Sequence, residues 1–155
     1  MGGKDCQQTN ACIRSLGIQH GYYNPTDWIN SGKMDYIVET YTDVFSSAAG
    51  ILFASDAEKP EKIEALKEGL LRKFLVILES QLESNATSKW LVGNKISIAD
   101  FCMASFLFNF LKNDMNPLST AYANLLLEFP SFGAYSKRLE SEMANHLKTR
   151  TPKFM

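Results

Sequence analysis

The sequence predicts an all-α protein: one helical bundle organised around a central buried helix. Over most of the chain apolar residues recur at steps of three and four, which is the helical period, and no alternating strand pattern of useful length is present. Residues 101–111 are apolar nearly all round, as expected of a helix without a solvent-facing side. A chain of 155 residues is long enough to bury a single core, so one bundle without internal repeats is expected.

Composition and charge exclude several classes of function. The chain is 45% hydrophobic and 21% charged with a net charge of -1, which is typical of a globular protein without the field that attracts nucleic acid or an anionic membrane. Its cysteines, Cys6, Cys12 and Cys102, lack C-x-x-C spacing, and its two histidines are far apart, so neither a disulfide framework nor a metal site is expected. The longest apolar stretch is too short to cross a bilayer and no targeting signal is visible, so we expect no membrane span and a cytoplasmic location.

The first three predicted helices follow from the periodicity and from the breaks within it. A short helix over residues 11–16 is expected to close at Gly17 and to lead into a turn-rich connector. A long second helix is predicted over residues 26–54, and a third from Pro60, because a proline loses no hydrogen bond in a first helical turn. The third helix carries apolar residues on one face as far as Leu82, and its other face is rich in Glu and Lys.

The segment before the central helix carries the most specific local signal. Ser97 and Asp100 have the spacing of a capping box, in which each side chain accepts from the backbone N–H of the other residue. Ile96 and Phe101 have the spacing of a hydrophobic staple, which sets the angle at which the chain enters the helix. We therefore predict a central helix that starts at this cap and ends near Lys112. Two more helices are predicted after it, over residues 118–128 and 130–148.

Three separated segments of the chain together indicate a protein family. The run Trp-Leu-Val-Gly-Asn-Lys leads into the capping box within residues 90–101, the pair Phe129-Pro130 precedes an amphipathic helix, and Met-Asp-Tyr-Ile-Val-Glu stands at residues 34–39. In this order and spacing the segments resemble the cytosolic glutathione transferases, nearest to the sigma-like classes. The resemblance implies that residues 25–155 form the C-terminal helical domain of that family. It implies that residues 1–24 are a remnant of the last helix of its thioredoxin-like domain, followed by a linker.

The resemblance also implies residues that contact a ligand. Gln8 and Thr9 match the helix start at which this family holds the γ-glutamyl end of glutathione, with Thr in place of the usual Ser, and a simple helix cap is the alternative. Asp43 matches an acid that reaches the glutathione of the other subunit of a dimer, and a solvated surface acid is the alternative. Ala49 and Phe53 match the family's pocket for hydrophobic electrophiles, and core packing is the alternative for Phe53. Glutathione is thus the implied ligand, without a metal.

The resemblance assigns no catalytic residue to this chain. Family members carry the Tyr, Ser or Cys that acts on the glutathione sulfur in the domain that precedes the match to Gln8, and nothing in this chain replaces it. The apolar side of the first helix, which packs on that domain in the family, then requires a cover, and a protein partner or a homodimer is expected there. The leading hypothesis is therefore a noncatalytic interaction or scaffold subunit of a larger assembly.

Two alternatives to the scaffold hypothesis remain. One is an active glutathione S-transferase that conjugates glutathione to hydrophobic electrophiles, of which this chain is the helical part. The other is a stand-alone carrier of apolar ligands within the helical bundle. The first requires glutathione binding, whereas the second requires stabilisation of the chain by apolar ligands.

Overall fold

The computed structural model describes residues 7–86 and 88–151, and every regular element among them is helical. The prediction of an all-α bundle is therefore confirmed. Cys6 lies outside the described residues. Within the described ranges no helix combines the length and the apolarity needed to cross a membrane. The described helices are α1 Thr9–His20, α2 Trp28–Leu52, α3 Lys59–Leu66, α4 Arg72–Ser84, α5 Ile98–Ser105, α6 Ser119–Tyr122, α7 Leu125–Glu128, α8 Pro130–Glu142 and α9 Ala144–Thr149, with π-helical turns at Lys67–Leu71 and Phe106–Leu111.

The first helix is longer than predicted, because Gly17 does not end it. α1 continues to His20, and Gly21, in the left-handed conformation at φ 78°, terminates it. Gly17 is buried at the contact of α1 with α5, where a side chain would collide with Ile98 and Tyr23. The glycine is therefore required for close packing, and the prediction that it closes the helix is wrong.

The predicted third helix is interrupted by a change of helical form. α3 begins around Pro60, as expected, but a π-helical turn separates it from α4. Gly69 within this turn has φ -94° and ψ -107°, which are outside the helical region. A glycine tolerates such a conformation more readily than residues with a side chain. The backbone therefore changes form at Gly69, while the apolar periodicity of the sequence continues on both sides of it.

The central helix consists of α5 and the π-helical turn that follows it. It packs against α1, α2 and α8, and its residues are nearly all buried. The Phe106 ring lies 5.7 Å from the rings of Phe74 and Phe110 and 6.5 Å from that of Phe132, measured between centroids. The core is therefore built around an aromatic cluster on this helix, as its all-round apolar sequence predicts.

Side chains also donate hydrogen bonds to the free carbonyl groups at the end of the central helix. The last carbonyl groups of a helix have no partner within it and require other donors. Three side chains donate to carbonyl oxygens here: Arg150 to Phe108 at 2.8 Å, Asn113 to Asn109 at 3.1 Å and Asn116 to Phe110 at 3.1 Å. The connector after this helix and the end of α9 are thereby fixed to it.

Asp100 is fully buried and joins three segments of the chain through hydrogen bonds. A capping box is present at its helix start, where Asp100 Oδ2 accepts from both the backbone N–H and the hydroxyl of Ser97 at 2.9 Å. Its Oδ1 accepts from the Leu91 N–H at 3.1 Å and from the Tyr135 hydroxyl at 2.7 Å. Burial raises the pKa of the Asp100 carboxyl above its ordinary value, although the hydrogen bonds act in the opposite direction. Burial also raises the pKa of Tyr135, so the phenol remains a donor.

The C-terminal part of the chain is more broken than predicted. The single helix expected over residues 118–128 is two one-turn helices, α6 and α7, and the helix expected over residues 130–148 is divided into α8 and α9 at Met143. The backbone at Met143 has φ -93° and ψ 5°, which ends the regular helix while its side chain still packs against the core. Apolar spacing alone does not reveal these breaks, because the apolar face continues across them.

The start of α8 is capped by a side chain from another helix. The two carboxylate oxygens of Glu79, on α4, accept from the backbone N–H groups of Ser131 and Phe132, each at 2.8 Å. A carboxylate at a helix N-terminus satisfies free donors and interacts favourably with the helix dipole. This contact joins α4 to α8 and was not evident from sequence.

We expect Glu79→Ala to lower the free energy of unfolding by about 1–2 kcal/mol, since it leaves two helix-start donors without their partner. Urea denaturation monitored by circular dichroism measures the change. Glu83→Ala, an exposed position on the same helix, serves as the control and should have little effect. Equal effects of the two substitutions would contradict the cap.

Candidate functional site

The start of α1 carries the two residues matched to glutathione binding. Gln8 has a positive φ of 74° and makes no capping hydrogen bond through its side chain, and Thr9 is the first residue of the helix. Both residues are exposed. Gln8 therefore stands at the N-cap position of α1 without a capping hydrogen bond from its side chain.

Polar contacts hold the start of α1 against the middle of α2. The Asn10 side-chain amide donates to Glu39 at 2.9 Å and to the Thr42 hydroxyl at 3.1 Å. Arg14 donates to Asp35 at 2.6 Å and to Glu39 at 2.5 Å. Hydrogen bonds to these two carboxylates raise the pKa of the Arg14 guanidinium further above its already high ordinary value. The two helices are thus joined by a half-exposed ionic network.

This network places Asp43 near the start of α1. Asp43 directly follows Thr42, which is in contact with Asn10 of α1, and its side chain is exposed. The start of α1 thus lies beside the middle of α2, one residue before Asp43. Sequence reasoning missed Arg14, which holds this arrangement. The only available signal was that Asp35 and Glu39 are four residues apart and hence lie on one side of a helix.

The residues matched to the electrophile pocket lie further along α2. Ala49 is half-buried, and Phe53 follows the last residue of the helix with 90% of its surface exposed. The core alternative for Phe53 is therefore wrong. A concave region near this end of α2 is lined by other residues of that helix, among them Ser47 and Gly50, with α3 on its opposite side. Among the described residues, Phe53 stands open to solvent rather than inside this cavity.

An apolar surface is exposed on α1 and the adjoining part of α5. Leu16 is 45% and Ile18 51% exposed, and Tyr22 and Phe101 are each exposed by more than a third. Leu16, Tyr22 and Phe101 line a groove of about 350 Å³ between α1 and α5, and the rings of Tyr22 and Phe101 meet edge to face at 5.0 Å. We call Leu16, Tyr22 and Phe101 the α1 face. Ile18, two residues after Leu16 in α1, lies on another side of the helix. The stapling contact between Ile96 and Phe101 stays a prediction.

Three buried or partly buried groups of the bundle are shifted away from ionisation. Burial raises the pKa values of Tyr23 and Tyr41, and it raises that of Cys102 to about 12, so none of these groups is poised to ionise at neutral pH. The described residues also contain no cluster of His, Cys, Asp and Glu that could hold a metal ion.

The α-helical bundle of this chain defines its class of domain. Solved structures have the same fold. The chain superposes on prostaglandin synthase D of Nilaparvata lugens with a TM-score of 0.76 and 20% identity, over 97% of this chain and 72% of that one. It superposes equally well on NaGST-2, with a TM-score of 0.76 and 20% identity, over 99% of this chain and 72% of that one. These likenesses establish the fold.

Sequence comparison gives the family. Residues 42–150 match the glutathione S-transferase C-terminal domain, and the chain therefore belongs to the glutathione S-transferase family. It is 30% identical over 136 residues to glutathione S-transferase P 1 of Xenopus laevis, covering 84% of this chain and 62% of the relative. It is 23% identical over 139 residues to glutathione S-transferase alpha I of Oryctolagus cuniculus, covering 90% and 58%. The chain thus spans less than two thirds of the length of these relatives.

Proposed function

We propose that this chain works by binding another protein domain through the α1 face, as a noncatalytic subunit of a larger assembly in the cytoplasm. The exposure of Leu16, Tyr22 and Phe101 carries this proposal, because these large apolar side chains line one groove beside a helix already fixed to the bundle. Burying each such side chain contributes about 1.5–3 kcal/mol. A partner that covers the α1 face therefore gains stability from the contact.

The partner in this proposal carries a thioredoxin-like sheet. α1 resembles the last helix of such a domain, whose apolar side packs on a sheet, and the α1 face has the apolar character that this packing requires. The curated relatives are longer than the chain, which is consistent with a further domain in contact with this one. The sheet is supplied either by a separate polypeptide or by a second copy of a related chain.

The raised pKa values of Tyr23 and Tyr41 support the noncatalytic part of the proposal. Activation of a thiol requires a donor or positive field positioned at the sulfur, and the tyrosines near α1 and α2 are shifted away from ionisation. Arg14, the cation closest to the start of α1 along that helix, is engaged by two carboxylates. These residues are therefore suited to hold helices together rather than to activate a nucleophile.

Native mass spectrometry of the protein isolated from its source tests this proposal. We expect the polypeptide inside a heavier complex, with slowed hydrogen exchange over residues 13–22 relative to the isolated chain. In a tagged chain, the double substitution Leu16→Ser and Tyr22→Ser should release the partner. Val76→Ser, which changes a 53% exposed residue on α4, should retain it.

Three outcomes would overturn the proposal. They are an uncomplexed chain, a partner without a thioredoxin-like fold, and retention of the partner by the double variant. The dye anilinonaphthalene sulfonate provides a check on the surface itself, since the isolated chain should bind it and the double variant should bind less. A wild-type chain that binds no dye would show that the α1 face is not apolar in solution.

A second candidate function is glutathione conjugation, with this chain as the helical part of an active transferase. It is favoured by the exposure of Gln8 and Thr9 at the start of α1. In this proposal Gln8 and Thr9 bind glutathione, Asp43 reaches the glutathione of the other subunit of a dimer, and Ala49 and Phe53 contact the electrophile. Native protein that binds glutathione and conjugates it to chlorodinitrobenzene, with loss of binding in Thr9→Ala, would favour the transferase over the scaffold.

A further inference from the structure

The groove between α1 and α5 that carries the α1 face also contains a histidine. His20, the last residue of α1, is exposed and lines this groove together with Leu16, Tyr22 and Phe101. Leu16 and His20 are four residues apart, so they lie on the same side of the helix. A partner that covers the α1 face therefore covers this imidazole as well.

Backbone hydrogen bonds fix the chain on both sides of His20. The N–H groups of Tyr22 and Tyr23 donate to the Gly17 carbonyl at 2.7 and 3.1 Å, which closes the end of α1. The Tyr22 carbonyl in turn accepts from the Ile98 N–H at the start of α5, at 3.2 Å. Because this backbone is tied to α5, the imidazole stays beside the groove.

The groove gives His20 no acidic partner. Among the described residues that line it, Tyr22 is the other titratable group, and α5 contributes apolar side chains. On α1 itself, Arg14 is engaged by two carboxylates of α2. Asp27 and Lys95 line a separate polar cavity that shares Tyr22 with the groove. A positive charge on His20 would therefore be covered without a carboxylate of the groove to compensate it.

Covering the groove changes which form of the imidazole is favoured. Histidine ordinarily changes its charge between about pH 5 and pH 8. In the uncovered chain His20 is in contact with water, which solvates the charged form. Burial of a charge in apolar surroundings without a partner is unfavourable, so a covered groove favours the neutral imidazole.

We propose that docking on the α1 face is coupled to the release of a proton from His20 to the solvent. The inference rests on the proposed function, because it concerns the regulation of that same docking surface. Release of a proton on docking makes the contact weaker as the pH falls, since the protonated chain must first lose that proton. The α1 face is thus a docking surface that mild acid opens.

An uncharged apolar dye tests the coupling on the full chain without a partner. Nile red fluoresces in apolar surroundings, and the groove offers it a volume of about 350 Å³. We expect the wild-type chain to bind the dye about tenfold more weakly at about pH 5.5 than at about pH 7.5. Leu16→Ser should remove most of this binding, because it takes an apolar side chain from the wall of the groove.

The two histidines of the chain provide the variant and its matched control. His20→Gln keeps a polar side chain but cannot gain the proton, so its affinity for Nile red should be the same at both pH values. His146→Gln removes the other histidine, which is also exposed but lies on α9, and it should keep the wild-type pH dependence. Equal wild-type affinity at both pH values, or a pH dependence that His20→Gln retains, would overturn the coupling. Binding that Leu16→Ser leaves unchanged would place the dye outside the groove and would also overturn it.

The tagged chain extends the test to the protein partner. Acidification to about pH 5.5 should release the partner from the wild-type chain and leave it bound to His20→Gln. Retention of the partner by both chains, or tighter binding in acid, would overturn the coupling while the proposed function stands. Absence of any partner would overturn the proposed function, and the dye titrations would still decide the coupling. The two proposals therefore fail separately.

Discussion

Replacing Asp100 by alanine is expected to lower the free energy of unfolding by about 3–5 kcal/mol. The substitution removes the acceptor of four hydrogen bonds at a fully buried position and leaves the donors of Leu91, Ser97 and Tyr135 without it. Each buried donor left unsatisfied costs about 1–3 kcal/mol, and relaxation of the surrounding loop recovers part of the sum. Urea denaturation measures the loss.

The control for this prediction is Asp114→Ala, which removes an exposed carboxylate from the loop after the central helix. We expect little change in its stability. Asp100→Asn keeps the size of the side chain but presents an amide donor to groups that are themselves donors, and it should fall between the wild type and Asp100→Ala. Wild-type stability in Asp100→Ala would show that the network does not hold the three segments together.

The burial of Asp100 also sets the sign of a pH dependence. Because burial raises its pKa above the ordinary value of 3.8, the folded protein binds this proton more tightly than the unfolded chain does. Its contribution to stability is therefore largest below pH 3.8 and falls as pH rises through the raised pKa. Asp56 and Glu58 have lowered pKa values, caused by hydrogen bonds from Lys59 and Ser55 respectively, and act in the opposite direction.

The comparison of wild type with Asp100→Asn isolates this effect, since the other carboxylates are common to both proteins. The difference in unfolding free energy between them should shrink as pH rises from 3.8. Denaturation curves across the acid range measure it. A difference that stays constant would contradict the raised pKa of Asp100.

The second large effect is expected at Gly17. In Gly17→Ala the new Cβ would stand 2.5 Å from Ile98 Cγ2 and 2.8 Å from Tyr23 Cβ, closer than atoms of this kind approach. Either α1 moves away from α5 or the contacting side chains are displaced, and we expect a loss of about 1–3 kcal/mol in unfolding free energy. Thermal and urea denaturation measure the change.

Gly32→Ala provides the matched control. Gly32 also lies inside a helix, α2, but a Cβ there meets no atom within 4 Å. Because alanine favours the helix, this substitution should stabilise the protein by about 0.5–1 kcal/mol. Effects of the same sign at the two glycines would contradict the close approach of α1 and α5.

Sequence predicted the fold well where one physical rule governs a long segment. Apolar periodicity identified α2 and the central helix, and the spacing of Ser97 and Asp100 located the start of the latter. The same periodicity missed the π-helical turn at Gly69 and the break at Met143, because an apolar face continues across a local change of backbone form. Such breaks depend on packing between helices, which cannot be inferred from the sequence of one helix.

The contacts that join the helices of the candidate site were not predictable from sequence. The resemblance supplied Thr9 and Asp43 as site residues, which stay predictions, and the structure places them on the neighbouring helices α1 and α2. The ion pairs of Arg14 that hold this pair were not predictable, since they join positions 21 and 25 residues apart in sequence.

The contacts that hold α1 against α2 are of another type than those that hold the remaining helices together. In α1 only Gly17 is buried, and its strongest links to α2 are the half-exposed ion pairs of Arg14, whereas the other helices meet through apolar side chains. Dissolved salt screens such ion pairs but leaves apolar burial largely intact. Ionic strength thus acts selectively on the contact between α1 and α2, whereas the packing of Gly17 and Ile13 against the bundle persists at high salt.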